Sequence, residues 1–204
     1  MPTITALTAQ KRTEYVNVCV DDEFFCGLSL SDVARLRLHK GQTLSEQELE
    51  ELKNLSSIGK AYTAALHYLS FRVRTIREVK DRLLQKGFAD HVDLVIDRLV
   101  SEKYLNDSDF AERWVAMRIA QYKAPAIIRQ ELYRKGIESQ TIDQAMLQYN
   151  DELIDTAIYE IAKKKSQQST VSRQKLMAFI AGKGFGYDAV RRVLSQFESE
   201  LSLS

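Results

Sequence analysis

The stretch Leu83–Phe88 (LLQKGF) occurs three times along the chain in related forms. The second copy is Leu132–Ile137 (LYRKGI), and the third is Ile180–Phe185 (IAGKGF). Each copy has an aliphatic residue, then Lys-Gly, then a large apolar residue. The glycines of successive copies are separated by 49 and 48 residues. A regular interval of this length indicates one supersecondary unit repeated in tandem.

The residues before each glycine have the spacing of a helix that ends at the glycine. Aliphatic residues stand eight and four positions before it, on one helical face. They are Val79 and Leu83, Ile128 and Leu132, and Leu176 and Ile180. Glycine suits the left-handed residue that ends a helix, and the preceding lysine suits the negative end of the helix dipole.

Two further helices recur with the same period. The helix after the glycine carries Val92, Val95, Ile96 and Leu99, then Ile142, Ala145 and Met146, then Val190, Val193 and Leu194. The helix before the pair carries Ala61 and Ala65, Phe110 and Trp114, and Ile158 and Ala162. Residues that favour helix starts precede several of these helices: a Thr75–Glu78 capping box, Asn106 or Asp107, Pro125 and Asn150. Each unit is therefore predicted as helix, helix, Lys-Gly turn, helix.

The first part of the chain does not match the repeat. It has β-branched or alternating runs at Thr3–Thr8, Tyr15–Val20 and Phe24–Cys26, with a turn at Lys11–Glu14. Ser29 and the box Ser45–Glu48 are predicted to open two short helices, the first ending at His39–Gly41. We therefore predict a mainly α fold. A small β-hairpin with short helices (1–58) precedes three-helix repeats at 59–104, 105–149 and 150–204.

The composition is that of an ordinary soluble protein, with 204 residues, 45% hydrophobic and 28% charged. No apolar run reaches the length of a membrane span, and the first residues lack the basic-then-apolar pattern of a secretion signal. Cys19 and Cys26 could approach each other in a hairpin, but two cysteines make no disulfide framework, and we expect reduced thiols. The expected location is the cytoplasm, and the expected state is a monomer.

Residue patterns that would indicate catalysis are missing from the sequence. His39, His67 and His91 are scattered, and no cysteine or histidine pair has the spacing of metal ligands. Gly182–Gly184 resembles a phosphate-binding loop only superficially, because the strand that precedes such a loop is absent. We therefore predict that the protein is not an enzyme and uses no cofactor or metal.

The distribution of charge is more informative than its total. The net charge is +1, but residues 1–60 have seven basic and nine acidic residues, whereas 61–204 have 22 basic and 19 acidic. Any one basic cluster is explained by an ordinary solvent-exposed helix face. Because basic clusters recur in successive repeats, however, the equivalent positions could together form a basic stripe that binds an acidic or polyanionic partner. The candidate contact residues are Arg72, Arg74, Arg77, Lys80, Arg129, Arg134, Lys135, Lys163, Lys164, Arg173 and Lys175.

Aromatic residues at helical or junction positions are expected to pack in the core. They are Phe71, Tyr104, Phe110 and Trp114. Tyr133, beside Arg134, leaves two readings open: a core position, or an exposed ring that stacks on a nucleic-acid base.

The order of several segments resembles the RecX family of bacterial recombination regulators. The segments are AALHYLSFR at 64–72, TIREV at 75–79, KGF at 86–88, YLND at 104–107 and ELYRKGI at 131–137, preceded by GLSL at 27–30 and GQTLS at 41–45. Two positions depart from the family pattern. Ala124-Pro125 stands where Gly-Pro is common, and Gly182-Lys183 stands where a basic pair is common.

The resemblance implies a modulator of the RecA recombinase. Members of the family bind the filament that RecA forms on single-stranded DNA, along its groove, and inhibit ATP hydrolysis, strand exchange and coprotease activity. They are not enzymes. The resemblance transfers no contact residues, so the candidates above come from charge and repeat position alone. A helical module that binds DNA directly, and weakly, is the alternative.

Overall fold

The computed structural model describes residues 1–10, 14–168 and 171–201. Within these ranges the chain forms three strands followed by ten α-helices, which confirms the predicted mainly α fold. The strands are β1 (Ile4–Ala9), β2 (Tyr15–Val20) and β3 (Glu23–Ser29). The helices are α1 (Leu30–Arg35), α2 (Glu46–Leu69), α3 (Ile76–Gln85), α4 (Val92–Ser101), α5 (Asp107–Ile119), α6 (Pro125–Arg134), α7 (Ser139–Met146), α8 (Asp151–Gln168), α9 (Arg173–Ala181) and α10 (Tyr187–Leu201).

The three strands form one antiparallel sheet in the order β1-β2-β3. Residues 11–13 of the turn predicted between the first two strands lie outside the described residues. The inner face of the sheet carries Ile4, Val18 and Leu28, which pack with Leu52 of α2. Cys19 and Cys26 are free thiols, as expected, and burial raises the pKa of Cys26 to about 11.

The helices that follow the sheet differ from the prediction in two places. α1 ends at Arg35 rather than near His39, because Arg37 takes the left-handed conformation (φ +52°) and Leu38 N–H bonds to the Val33 carbonyl at 3.0 Å. The helix capped by Ser45 and the first helix of repeat 1 are one continuous helix, α2, of 24 residues. Residues 58 and 59 lie inside this helix. The predicted boundary between them therefore marks the start of the sequence repeat and does not interrupt the helix.

The Lys-Gly corners have the predicted geometry. Gly87, Gly136 and Gly184 have φ of +81°, +83° and +96°. In the first two corners the N–H of the residue after glycine bonds to the carbonyl five residues earlier, Phe88 to Leu83 at 3.1 Å and Ile137 to Leu132 at 3.2 Å. These bonds satisfy carbonyls that a helix end leaves without a partner. The aliphatic residues predicted eight and four positions before each glycine are all buried.

The predicted helix starts are also confirmed. Asn106 accepts the N–H groups of Ser108 and Asp109 at the start of α5, and Asn150 accepts that of Leu153. Pro125 occupies the first turn of α6. The Thr75–Glu78 capping box is present, with both of its hydrogen bonds at 3.2 Å. Local sequence therefore defines most of the helix ends.

The chain divides into two compact units, each with its own contacts. Unit 1 comprises Met1–Val73 and Val79–Tyr104, that is, the sheet and most of repeat 1. Unit 2 comprises Arg74–Glu78 and the chain from Leu105 onward, with repeats 2 and 3. Repeat 2 packs around Val115, Ile128 and Leu132, and repeat 3 around Ile158 and Ile180. Burial of these aliphatic side chains is the main favourable contribution to the stability of each repeat.

Candidate interaction surface

No group of three or more His, Cys, Asp or Glu side chains within the described residues could hold a metal ion. Among the described helices, none combines the length and apolar composition that a membrane span requires. The predicted basic residues differ in their surroundings, as follows for each part of the fold.

The first turn of α3 is a structural junction within unit 2. The buried Thr75 hydroxyl donates a 2.9 Å hydrogen bond to the Lys135 carbonyl. Lys135 Nζ pairs with Glu78 at 3.2 Å, and both side chains are about four-fifths buried, with exposures of 20% and 21%. The Ile76 N–H donates to Asp107 Oδ1 at 2.9 Å. Burial raises the pKa of Asp107, although this hydrogen bond opposes the shift.

Arg77 belongs to the same junction. A Cβ built on Gly136 would lie 2.3 Å from Arg77 Cδ and 2.7 Å from Arg77 Cβ, so the aliphatic stem of Arg77 lies directly against the corner backbone. The structure therefore gives Arg77 and Lys135 packing roles in this junction. Arg74 is half-buried in unit 2.

The two predicted contacts in unit 1 have different surroundings. Arg72 is exposed and donates to the Val73 carbonyl at 3.1 Å. Lys80 Nζ pairs with Asp93 Oδ1 of α4 at 2.9 Å. Because both side chains of this pair are more than a third exposed, water screens the interaction, and a partner could displace it.

Repeat 2 presents Arg129 and Arg134 on α6. Arg129 forms an ion pair with Asp143 of α7, beside a shallow cavity of about 410 Å³ that Tyr133 also lines. Arg134 is exposed and has no ion pair within the described ranges. Tyr133 is 69% exposed, which fits the second of its two readings.

Repeat 3 carries the remaining candidates on α8 and α9. Arg173 pairs with Glu198 of α10 and also donates to the Ser195 hydroxyl at 2.9 Å. Lys163 and Lys175 are exposed and form no ion pair in the described part of the chain. The structure thus separates predicted cations that are neutralised within the fold from those that are not.

A groove between repeats 2 and 3, within unit 2, brings four lysines together. Its volume is about 480 Å³. Lys123 comes from the α5–α6 connection, Lys164 and Lys165 from α8, and Lys183 from the third corner. Phe179 lies among them, 40% exposed, with Lys165 Nζ and Lys183 Nζ at 5.4 and 4.8 Å from its ring centroid. We call this site the lysine groove.

Of the four lysines in the lysine groove, only Lys164 is among the candidate contacts predicted from the sequence. The sequence pattern assigns Lys183 to a helix end, and Lys123 precedes the departure at Ala124-Pro125. The sequence shows that a lysine precedes the glycine of each corner. It does not show that the third corner lies beside the α5–α6 connection. Buried Tyr149 donates to the Lys123 carbonyl at 3.0 Å and so fixes one edge of the groove. Burial raises the pKa of Tyr149 to about 12.

The aromatic predictions are confirmed for two residues and wrong for two. Phe110 is buried, and half-buried Trp114 stacks on it with ring centroids 5.7 Å apart. Phe71 and Tyr104 are 70% and 56% exposed, because each lies just beyond a helix end, where the chain has turned away from the core.

A second charged cluster lies in unit 1. The Tyr62 hydroxyl and Arg98 Nε both donate to the Glu102 carboxylate, and the Arg98 guanidinium lies 3.9 Å from the Tyr62 ring centroid. Burial, together with the Glu102 carboxylate, raises the pKa of Tyr62 to about 12. The hydrogen bonds from Tyr62 and Arg98 lower the pKa of Glu102. This cluster ties α2 to the end of α4 and has a structural role.

Fold and surface together define a helical-repeat protein that presents basic side chains on open surfaces. Residues 61–99 and 106–146 match the domains described as the first and second three-helix domains of RecX. Residues 2–45 match the regulatory protein RecX N-terminal domain. The chain belongs to the RecX family.

Relatives match over nearly the whole chain. A regulatory protein RecX from Bacillus pumilus is 32% identical over 96% of this chain and 78% of its own length. A regulatory protein RecX from Bacillus velezensis is 34% identical over 98% of this chain and 79% of its own length. A crystal structure of regulatory protein RecX superposes with a TM-score of 0.82 at 26% identity, covering 96% of this chain and all of that one. The crystal structure of RecX from Lactobacillus salivarius superposes with a TM-score of 0.66 at 30% identity, and the match covers 70% of this chain and 97% of that one. The two Bacillus relatives are named as regulatory proteins.

Proposed function

We propose that this protein binds the filament that the RecA recombinase forms on single-stranded DNA, and that it inhibits the filament's ATPase, strand-exchange and coprotease activities. The observation that carries the proposal is membership of a family whose relatives are named regulatory proteins over almost the full length of this chain. Open basic surfaces support it, since they suit an extended acidic or polyanionic partner. The protein would act in the cytoplasm as a monomer and would catalyse no reaction itself.

We propose the exposed cations as the principal partner contacts. Arg134, Lys163, Lys164 and Lys175 are exposed and form no ion pair within the described ranges, so binding would not break an internal interaction. Lys80, Arg129 and Arg173 would first have to exchange an internal carboxylate for one on the partner. Arg77 and Lys135 remain in the proposed set, but charge reversal there would disturb the junction and would not test contact cleanly.

The domain division also remains a proposal, with repeats beginning at residues 59, 105 and 150. Each repeat then supplies one Lys-Gly corner and its own part of the basic surface. Expression of 105–204 by itself would test it, because unit 2 also includes Arg74–Glu78. The fragment should still fold and unfold cooperatively in urea, and a fragment that does not fold would contradict a boundary at residue 105.

The function is tested with the recombinase from the same organism. Its single-stranded-DNA-dependent ATP hydrolysis is measured while this protein is added from sub-stoichiometric to equimolar ratios. We expect a progressive loss of the ATPase rate that begins below one protein per recombinase subunit, as blocking a growing filament requires few molecules. An unchanged rate at every ratio would rule out the proposed function.

The contacts are tested with paired charge reversals. Lys163→Glu with Lys175→Glu should raise the concentration that halves the ATPase rate by roughly tenfold, since each lost ionic contact weakens association. The matched control, Arg113→Glu with Arg191→Glu, makes the same change in net charge at exposed cations on α5 and α10 that are not among the candidates, and it should leave that concentration within about twofold. Equal effects of the two variants would show that net charge, not position, matters.

A further inference from the structure

The lysine groove differs from the other basic sites of the protein in its charge. Several cations elsewhere in the repeats are paired within the fold, as in Lys80–Asp93, Arg129–Asp143, Arg173–Glu198 and Arg192–Asp155. Within the described residues, none of Lys123, Lys164, Lys165 and Lys183 forms an ion pair, and no carboxylate lines the groove. Four like charges around one concave surface repel one another and attract an anion.

The groove also exposes aromatic rings beside these charges. Phe179 is 40% exposed and Tyr122 is 43% exposed, and Ile127 and Ile161 line the groove with them. Lys165 and Lys183 lie over the Phe179 ring. A cation–π interaction of this kind is weak at an exposed site, so the two ammonium groups can exchange it for contacts with phosphate. The ring would then be available to a planar partner.

The backbone at the groove edge is unusual. Tyr122 has φ +54°, in the left-handed region that favours glycine, and it ends α5 with its N–H bonded to the Ile119 carbonyl at 2.8 Å. A bulky residue in this conformation is disfavoured by its own backbone. A strained tyrosine at the mouth of a cationic groove points to a role for the ring in binding.

We propose that the lysine groove binds single-stranded nucleic acid directly, with a base stacked on Phe179 and adjacent phosphates on the lysines. Aromatic rings interleaved with cations are the features that bind single strands without reading sequence. Duplex DNA offers the phosphates but keeps its bases stacked inside, out of reach of Phe179. An acidic peptide offers carboxylates to the lysines but no base for the ring. Single-strand binding at this groove requires no recombinase.

The test is fluorescence anisotropy of a labelled oligothymidylate of about a dozen nucleotides with the purified full chain and no recombinase. Lys164→Glu with Lys183→Glu should weaken binding at least tenfold. It should also flatten the dependence of log affinity on log salt by about 1.4, as each phosphate contact on a single strand contributes about 0.7 to the slope. Phe179→Ala should weaken binding by roughly 5- to 100-fold with little change in slope, and Phe179→Trp should retain binding.

Two variants separate binding from folding and from net charge. Arg113→Glu with Arg191→Glu makes the same charge change on α5 and α10 outside the groove lining and should alter affinity less than threefold. Tyr122→Gly relieves the left-handed tyrosine, so it should raise the urea midpoint and still lower affinity. A gain in stability with a loss of binding cannot be attributed to misfolding.

Four results would overturn the inference. They are no oligothymidylate binding at low salt, equal losses from the groove and control pairs, a Phe179→Ala variant with wild-type affinity, and a labelled oligoglutamate that binds as tightly as the oligothymidylate. Since these measurements contain no recombinase, their failure leaves the proposed filament function standing. An ATPase assay that shows no inhibition likewise leaves groove binding standing.

Discussion

Replacing Gly136 by alanine should destabilise unit 2 more than the same change at Gly184. Both glycines end helices in the left-handed conformation, with φ of +83° and +96°. At Gly184 a new Cβ would meet Ile127 Cγ1 at 3.3 Å and Ala124 Cβ at 3.4 Å. At Gly136 it would lie 2.3 Å from Arg77 Cδ and 2.7 Å from Arg77 Cβ. The two variants therefore share the backbone strain and differ in steric overlap.

The magnitudes follow from these two contributions. A left-handed non-glycine residue costs roughly 1–2 kcal/mol, which is the expected loss for Gly184→Ala. Overlap in a packed site adds about 1–3 kcal/mol, so Gly136→Ala should lose roughly 2–5 kcal/mol. Arg77→Ala removes Cγ and Cδ but leaves Cβ, so the double variant Gly136→Ala with Arg77→Ala should recover only part of the overlap contribution.

The assay uses the single tryptophan of the chain as a probe. Trp114 lies in unit 2 with both glycines, and its Nε1–H donates to Glu131 Oε2 at 2.9 Å, so its emission changes when unit 2 unfolds. Urea unfolding followed by this emission gives the free energy of unfolding of each variant. Equal losses for the two alanine variants, or no recovery with Arg77→Ala, would refute the packing of Arg77 against the corner.

Thr75→Val should destabilise unit 2 by about 1–3 kcal/mol, since it leaves the part-buried Lys135 carbonyl and Glu78 N–H without the hydroxyl, whereas Thr75→Ser should retain most of the stability in the same urea assay. In alkaline titrations followed by ultraviolet absorbance, Tyr149 and Tyr62 should ionise near pH 12 and not near pH 10. Because folding raises these pKa values, each phenol stabilises the fold less as the pH rises from 10 through 12. Tyr149→Phe should therefore reduce the loss of stability in that range, and an unchanged pH profile would contradict the burial of Tyr149.

The sequence predicted the elements that local chemistry controls. Each Lys-Gly corner depends on one residue that can adopt positive φ, and each helix start depends on a side chain two or three positions from the N–H it accepts, as with Asn106. The period of 49 and 48 residues needed no structure to be recognised. The prediction of helix ends from the sequence was wrong in two places. At the end of α1, Arg37 takes a left-handed conformation that is more usual for glycine. Within α2, no glycine-proline signal or other helix-breaking residue pattern interrupts the two helices that were predicted separately, and they form one helix.

The tertiary structure decided which charges are available. Arg173 and Glu198 are 25 residues apart, and Arg192 and Asp155 are 37 apart, so their pairing depends on how helices pack and not on spacing along one helix. The same packing places Lys123 and Lys183 on one groove although 60 residues separate them. Helix ends are set by interactions over a few residues, which a sequence displays directly. Neutralisation of a surface charge is set by distances through space, and these exist only once the helices have packed.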